Sequence, residues 1–209
     1  MDIVSFTDYG FGSNTYLAVN EETKQAVLID AGTSATQILD YLEDNDIKLV
    51  AILLTHGHPD HLLSLNEVAE ATGAPSYMHP EDAQLLEYIP PMLLNMMGLD
   101  KLELPGEFLP LEDDQELELA GIMFKVLYTP GHSGGSVCFL ADGVLFAGDL
   151  VFRGSIGRTD FPGGSMDTLL QSVKEKVFTL PSETRILPGH MDATVVGWEK
   201  RTTPFLMGI

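Results

Sequence analysis

The feature that most constrains this chain is the point where an apolar run, LVAILL at residues 49–54, meets the polar sequence THGHPDH at residues 55–61. The run has no polar face, which is typical of a β-strand covered on both sides. Three histidines and one aspartate follow within six residues. Groups of this kind are costly at the mouth of a buried strand unless they share a partner. We therefore expect this strand to end at a functional site.

Three further strand-like runs end in the same way. His132 follows VLYTPG, Asp149 follows VLFAG, and His190 follows ILPG, so that a glycine precedes each polar residue. One such residue is usually structural, but a group of them without a metal ion would suffer mutual repulsion and desolvation. We interpret the whole group as metal ligands. The candidate ligands are His56, His58, Asp60, His61, His132, Asp149 and His190.

The spacing of these residues divides them between two adjacent sites. His56 and His58 are two residues apart, so their side chains point to the same side of an extended segment. We expect His132 to complete a three-histidine site with them. Asp60 and His61 follow where the chain turns into a helix, so they face a neighbouring point.

The second site consists of Asp60 and His61, and we expect His190 to complete it. Asp149 is the strand-end acid that is left to bridge the two ions. Imidazole and carboxylate ligands suit zinc first, with iron and manganese as alternatives. The cofactor prediction is therefore two divalent metal ions.

The charge of the chain restricts its partners. With 11 lysines and arginines in 209 residues, the formal net charge is −20 at pH 7. Such a surface repels phosphate backbones and anionic membranes, so we expect neither nucleic acid nor a membrane as partner. The single cysteine, Cys138, excludes an internal disulfide and is predicted to pack inside a strand. The absence of a signal-like N-terminus and of long apolar runs predicts a cytoplasmic protein.

The remaining pattern predicts an α/β fold with two sheet-centred halves packed face to face and helices outside. The predicted strands lie in residues 15–32, 48–54, 75–80, 116–132, 136–150 and 184–190, and the predicted helices in residues 33–46, 62–72 and 165–178. The methionine-rich segment 84–100 is predicted as helical pieces broken at Pro90-Pro91. Its role stays open between core filler and a flap over a ligand.

Five segments together resemble the metallo-β-lactamase superfamily over almost the whole chain: DAG at 30–32, THGHPDH at 55–61, TPGHSGGS at 129–136, FAGD at 146–149 and PGH at 188–190. The resemblance implies a four-layer αβ/βα sandwich, two mixed sheets face to face, with the site at one edge of the sheets. It implies one metal on His56, His58 and His132. It implies the other on Asp60, His61 and His190, with Asp149 bridging, in agreement with the spacing argument.

Within the superfamily, the segments 154–165 and 187–206 are similar to small glyoxalase II-like hydrolases. Nineteen residues follow His190, so we expect residues 1–209 to form one domain without the C-terminal helical domain that holds glutathione in full-length glyoxalase II enzymes. The resemblance implies a metal-dependent hydrolase of a small thioester or ester, with S-lactoylglutathione as one candidate substrate. The oligomeric state is open.

Other functions are weighed on the same residues. The segment GRTDF resembles persulfide dioxygenases, which would hold a single iron with His56, His132 and Asp149. Hydrolysis of β-lactams is disfavoured because lactamases generally do not use a bridging carboxylate such as Asp149. A metal-binding protein without turnover is the remaining alternative.

For the hydrolase, we expect two cations to hold a bridging water, lower its pKa and so present a hydroxide to the substrate carbonyl. Asp60 or Asp149 would take the proton when the intermediate collapses, so both are predicted to be catalytic. Candidates for hydrogen bonds that orient the ligands are Asp30, Thr55 and Thr129, and each could equally be a turn or strand-end residue. Arg158 and Asp160 are predicted to form an internal ion pair, and His79 is predicted to be structural.

Overall fold

The computed structural model describes residues 1–87, 89, 91–96 and 98–209, with the backbone alone at residues 93 and 96. A mixed six-stranded sheet forms the N-terminal half, in the order β1 to β6. Its strands are β1 (Asp2–Thr7), β2 (Asn14–Asn20), β3 (Gln25–Ile29), β4 (Lys48–Leu53), β5 (Ser76–Met78) and β6 (Leu109–Pro110). The pairs β1–β2 and β2–β3 are antiparallel, and the others are parallel.

The C-terminal half contributes a second mixed sheet and a small hairpin. The strands are β7 (Glu116–Leu119), β8 (Ile122–Tyr128), β9 (Val137–Ala141), β10 (Val144–Gly148), β11 (Val151–Phe152), β12 (Ser155–Ile156), β13 (Arg185–Pro188) and β14 (Thr194–Val195). The order in the sheet is β14-β13-β10-β9-β8-β7, and β11 pairs with β12 separately. Only the β10–β13 pair is parallel, so these two strands end at the same edge.

Among the described residues, five helices lie between strands in sequence, and a sixth follows the last strand. They are α1 (Ala35–Asp44), α2 (Leu65–Thr72), α3 (Pro80–Leu85), α4 (Pro91–Met96), α5 (Met166–Ser172) and α6 (Val196–Thr202). Short 3-10 turns occupy Pro59–His61 and Pro204–Leu206, and a π-helical turn, Val173–Val177, extends α5. The start of α5 is capped by Ser165, whose hydroxyl accepts a hydrogen bond from the Thr168 amide at 3.3 Å.

The alternation of side chains in β2 shows how the layers form. Tyr16 and Ala18 face the space between the two sheets, whereas Leu17 and Val19 face the helices on the outside of the first sheet. This period of two is the one expected of a strand buried on both faces. The space between the sheets also holds fully buried aromatic rings, namely Phe124, Phe139 and Phe146.

The outer face of the second sheet packs against α5 and its extension. Leu169, Val173 and Val177 are fully buried against Leu145 and Ile186 of the sheet. The molecule therefore has four layers, helix, sheet, sheet and helix. The predicted α/β sandwich with two mixed sheets face to face and helices outside is confirmed.

Two hairpins of the second sheet have turns that need positive φ angles. Ala120 and Gly121 connect β7 to β8 with φ angles of 55° and 71°, and Asp142 and Gly143 connect β9 to β10 with 47° and 75°. Consecutive positive φ angles are typical of the two-residue turns that match the twist of a hairpin. These turns align β8 and β10, whose carboxyl ends lead to His132 and Asp149.

The sequence analysis did not predict the short strands β6, β11, β12 and β14, nor β1 or the helix α6 that begins at Val196. In the segment 84–100, Met92 is 74% exposed, so it does not fill the core. Met97 lies outside the described residues, and the role of this segment stays open. No helix in the described part of the chain is both long and apolar enough to cross a membrane. That residues 1–209 form one domain stays a prediction.

Candidate metal centre

Four loops that follow strands bring the predicted ligands together. His56 and His58 come shortly after β4, and the 3-10 turn Pro59–His61 carries the next two ligands. The other three follow β8, β10 and β13. Each strand therefore delivers its ligand at its carboxyl end, where the apolar run stops.

His56, His58 and His132 form a group that we call the first triad. One ring nitrogen of each lies within 4.8 Å of the others. Nδ1 of His58 is 2.7 Å from Nε2 of His132. Nε2 of His56 is buried and has no hydrogen-bond partner in the described structure. An unpaired buried nitrogen that faces two other imidazoles fits a metal ligand.

Asp60, His61 and His190 form the second triad, with ligand atoms again within 4.8 Å of one another. Nε2 of His190 is 3.2 Å from Oδ2 of Asp60 and 3.3 Å from Nε2 of His61. A carboxylate and two imidazoles that converge in this way fit zinc, iron or manganese.

Asp149 lies between the two triads. Its Oδ2 is 3.5 Å from Nε2 of His132 in the first triad and 3.5 Å from Nε2 of His190 in the second. Its Oδ1 is 3.4 Å from Nε2 of His61 and has no hydrogen-bond partner among the described residues. A buried carboxylate that reaches both groups fits the predicted bridge. The structure thus brings all seven predicted ligands into one cluster.

Several of the ring nitrogens that point away from the cluster also have partners. Nδ1 of His61 is 2.9 Å from Oδ2 of Asp30, and Nδ1 of His56 is 3.0 Å from the Thr55 hydroxyl. The Thr55 hydroxyl in turn lies 2.8 Å from Asp30. Such outer partners hold the rings of metal-binding histidines in position. Asp30 and Thr55 therefore occupy the orienting positions that the sequence analysis suggested.

Asp30 is also near enough to His56 and His61 to form a third group of potential ligands. Both of its oxygens already accept hydrogen bonds from Thr55, and Oδ2 pairs with His61. It is therefore committed to orienting these residues. Thr129 does not contact a ligand, because its hydroxyl lies 3.3 Å from the sulfur of Cys138. The suggestion that Thr129 orients a ligand is wrong; it is a strand-end residue.

Burial and neighbouring carboxylates shift the pKa values of three of these histidines in different directions. Burial lowers the pKa of His56, and it lowers the pKa of His58 to about 4. Burial also lowers the pKa of His61, but the surrounding carboxylates, Asp60 first, outweigh it, so the net pKa is raised. Neutral imidazole is the form that binds metal. His56 and His58 are therefore in the neutral, metal-binding form, whereas His61 must release a proton before it binds a metal ion.

Close backbone approach explains two of the glycines next to the ligands. A Cβ atom on Gly189 would lie 2.8 Å from Cε1 of His61, and one on Gly148 would lie 2.5 Å from the Thr55 hydroxyl. Neither position has room for a side chain. The glycines that precede Asp149 and His190 therefore let two strand ends approach the centre.

Residues near the N-terminus also support the centre, and the sequence analysis missed them. The hydroxyl of Ser13 donates a hydrogen bond to the carbonyl of Asp60 at 2.8 Å. The amide of Asn14 donates to the carbonyl of Gly189 at 2.7 Å, next to His190. No local pattern distinguishes these residues, since their partners are far away in sequence.

Asp82 was missed for a similar reason. It is completely buried and accepts hydrogen bonds from the amides of Gly57 and Gly135, each at 2.7 Å. In the sequence it is one of two acidic residues in the first turn of a short helix, where acids are common for their effect on the helix dipole. That pattern gives no indication of a contact with the histidine loops.

Aromatic rings flank the centre on both sides. Phe161 lies edge to face with His58 at 5.4 Å, and Phe152 lies edge to face with His190 at 5.9 Å. The guanidinium of Arg158 covers Phe161 at 3.8 Å and pairs with Asp160 at 2.7 Å. This ion pair exists as predicted, but it is exposed rather than internal.

An open cleft of about 550 Å³ adjoins His190, with Phe11, Phe152 and Met191 among its lining residues. His79 lies outside the cluster: it caps α3 and stacks on Tyr128 at 4.5 Å. These contacts agree with the prediction that His79 has a structural role. Cys138 is fully buried in β9, as predicted.

The fold and this cluster define an α/β protein with two adjacent sets of metal-type ligands at the edge of a double sheet. The chain belongs to the metallo-beta-lactamase superfamily, whose model matches residues 8–190. The resemblance found in the sequence is confirmed at this level.

Relatives along nearly the whole chain include proteins of several bacteria. An uncharacterized protein of Mycobacterium leprae is 38% identical, with 94% of each chain covered. A probable metallo-hydrolase of Bacillus subtilis is 36% identical, with 94% of this chain and 93% of the relative covered. The hydroxyacylglutathione hydrolase GloC of Haemophilus influenzae is 34% identical, with 94% of this chain and 93% of the relative covered.

Solved structures agree with this picture. BLEG-1 B3 metallo-beta-lactamase has a TM-score of 0.91 and 32% identity, with 99% of this chain and all of that chain covered. TTHA1623, solved in a di-iron-bound form, has a TM-score of 0.87 and 38% identity, with 97% of this chain and 100% of that chain covered. ETHE1 from Myxococcus xanthus has a TM-score of 0.82 and 28% identity, with 98% of this chain and 84% of that chain covered.

Proposed function

We propose that this chain is a metal-dependent hydrolase of small thioesters or esters. The observation that carries the proposal is the position of Asp149, whose Oδ2 lies 3.5 Å from a histidine of each triad. A carboxylate in this position suits two ions held side by side. The proposed ligands are His56, His58 and His132 for one ion and Asp60, His61 and His190 for the other, with Asp149 shared.

Two divalent cations, when bound at such a site, polarise a substrate carbonyl and lower the pKa of water towards 7. The side chains of the chain itself fix the arrangement. Asp30 and Thr55 hold His61 and His56 from behind, so the ligand atoms need little reorganisation. We take zinc as the first metal to test, with iron and manganese as alternatives.

Asp60 is the better placed of the two proposed proton carriers. Its side chain is 24% exposed, whereas that of Asp149 is 10% exposed. A carboxylate that is closer to solvent exchanges its proton more readily, and general acid–base groups must reach both the reacting atoms and a proton acceptor. Asp149 would then act chiefly as a shared ligand.

Acylglutathione thioesters are the first substrates to test, because GloC, a relative at 34% identity, is named a hydroxyacylglutathione hydrolase. The cleft beside His190 offers apolar surface from Phe11, Phe152 and Met191 for part of such a substrate. The substrate is therefore proposed as a small molecule.

The alternative is a one-iron dioxygenase that acts on persulfides. The similarity to ETHE1 from Myxococcus xanthus, at 28% identity, makes this alternative worth testing. Its ligands would be His56, His132 and Asp149, and Nε2 of His132 lies 3.5 Å from Oδ2 of Asp149. Only one metal ion would be bound.

The test combines metal analysis of the purified protein with two assays. Hydrolysis is measured with S-lactoylglutathione, simple thioesters and esters, and a chromogenic β-lactam, and oxygen uptake is measured with glutathione persulfide. Two ions per chain with thioester or ester hydrolysis support the proposal. One iron with persulfide-dependent oxygen uptake overturns it, as does hydrolysis of the β-lactam alone.

A variant distinguishes the ligand assignment from the choice of substrate. His58→Ala removes one nitrogen of the first triad and should abolish hydrolysis by a two-ion enzyme. An unchanged rate in this variant would contradict the assignment of His58 as a ligand. Turnover in none of the assays, with both ions bound, would favour a metal-binding protein without catalysis.

A further inference from the structure

A buried carboxylate outside the two triads connects two of the histidine loops. Asp82 lies in α3, and its exposed fraction is 0%. Its Oδ2 accepts hydrogen bonds from the Gly57 amide and from the Ser133 hydroxyl, each at 2.7 Å. Its Oδ1 accepts one from the Gly135 amide, also at 2.7 Å.

Two of these donors lie directly beside members of the first triad, and the third, Gly135, is three residues after His132. Gly57 separates His56 from His58, and Ser133 follows His132. The two loops come from different sheets, since the first follows β4 and the other follows β8. Asp82 therefore joins the two halves of the molecule at the point where the first triad is assembled.

The two loops also lie directly against the backbone of α3. A Cβ atom on Gly135 would be 2.6 Å from the amide nitrogen of Asp82, and one on Gly57 would be 3.2 Å from its carbonyl oxygen. The glycines allow this approach, and the three hydrogen bonds hold it. Hydrogen bonds to a carboxylate are stronger and shorter than those between neutral groups.

The second triad has different supports. Asp30 pairs with His61, and Ser13 and Asn14 hold the backbone beside Asp60 and His190. None of these supports includes Asp82. A change at Asp82 should therefore act on one triad more than on the other.

We propose that Asp82 is a positioning residue for the first triad: it sets the separation of His132 from His56 and His58, and through it the metal affinity of that triad alone. The inference rests on the proposed two-ion site. Outer groups that orient metal ligands typically change affinity by about 10- to 100-fold when they are lost.

The test is a titration of the metal-free full chain with Zn²⁺, followed by calorimetry, with Co²⁺ absorption as a second readout. Asp82→Asn keeps the volume but places an NH₂ group against donors. We expect one equivalent to bind as in the unchanged chain and the other to bind about 10- to 100-fold more weakly, with altered Co²⁺ bands. Ser133→Ala, which removes one of the three hydrogen bonds, should shift the same equivalent by a smaller factor.

Glu199→Gln is the matched control. Glu199 is also completely buried and accepts hydrogen bonds from three donors, the Gly154 amide and the hydroxyls of Thr194 and Thr203. It lies in α6 and touches no predicted ligand. We expect this variant to bind both equivalents normally, and thermal unfolding of all metal-free variants reports whether they fold.

Unchanged affinities in Asp82→Asn would overturn the inference, and so would equal losses at both equivalents or an equal loss in Glu199→Gln. If Asp82→Asn does not fold, Ser133→Ala decides by the same criteria. If the unchanged chain binds only one equivalent, the proposed two-ion function is wrong. In that case a weaker single equivalent in Asp82→Asn supports the positioning role, and an unchanged one contradicts it.

Discussion

The two triads differ in how they are built, although they lie side by side. The first consists of three imidazoles, of which His56 and His132 are 1% and 2% exposed. The second contains a carboxylate, and the side chains of Asp60 and His190 are 24% and 21% exposed. The first triad is therefore the more enclosed of the two, and the second contains a carboxylate and opens towards solvent.

The supports of the triads differ in the same way. His61 in the second triad is held by direct contact between its ring and the carboxylate of Asp30. The loops of the first triad are held through their backbone, by Asp82. A ring contact fixes the angle of one ligand, whereas a backbone contact fixes the distance between loops. We therefore expect Asp82 to act mainly on the first triad, whereas Asp30 acts directly on the second and reaches His56 only through Thr55.

The largest expected effect comes from the residue that the triads share. Asp149→Asn should weaken both metal equivalents and lower thioester or ester hydrolysis by at least about 10³-fold, which corresponds to about 4 kcal/mol of transition-state stabilisation. Metal analysis and initial rates measure the two effects. Asp114→Asn, an exposed carboxylate paired with Lys125, is the control and should change neither. Full binding of both ions by Asp149→Asn, with a rate within tenfold, would contradict a shared carboxylate.

The next largest effect is expected in the core between the sheets, and it tests whether metal binding depends on the packing there. Phe124→Ala empties a fully buried position between the sheets and should lower the free energy of unfolding by about 3–5 kcal/mol. Urea unfolding of the metal-free chain measures it. The neighbouring Met123 is 49% exposed, so Met123→Ala should change stability by less than about 0.5 kcal/mol. We expect the folded Phe124→Ala variant to bind two equivalents of metal. If it lost metal binding at one triad alone, that triad would depend on the packing of the core.

Asp30→Asn tests the supports of the second triad. The amide replaces the oxygen that pairs with His61, so this triad should lose about 10- to 100-fold in metal affinity. The first triad should lose less, because Asp30 reaches His56 only through the Thr55 hydroxyl. The same Zn²⁺ titration measures it. The pattern should be the reverse of that in Asp82→Asn. If both variants weaken the same equivalent, the two triads do not have separate supports.

The smallest effect is expected at Cys138, which lies in β9 away from both triads. Burial raises the pKa of its thiol to about 12, so almost no thiolate forms at pH 8. A thiol reagent such as dithionitrobenzoate should label the protein only after unfolding in urea. Cys138→Ala should keep both metal equivalents and the hydrolysis rate. Rapid labelling of the folded chain, or loss of an ion in the variant, would show that this thiol belongs to the centre.

Much of this protein follows from local sequence patterns. Buried strands appear as apolar runs, and the ligands appear where those runs stop, because a strand places its last residues at a sheet edge whatever the rest of the chain does. The spacing of His56 and His58 on an extended segment likewise depends on neighbouring residues only. The double-sheet fold and the convergence of these side chains in two groups were therefore predictable.

Tertiary structure decided what holds the ligands in place. Asp82 reaches Gly135 across 53 residues, and Asn14 reaches the carbonyl of Pro188 across 174. Neither residue belongs to a periodic pattern, since a single buried acceptor or amide has no sequence signal. Thr129, which looked equivalent to Thr55, turns towards Cys138 instead of a ligand. The physical reason is that strand periodicity is a property of one segment, whereas these contacts exist only after both sheets have packed together.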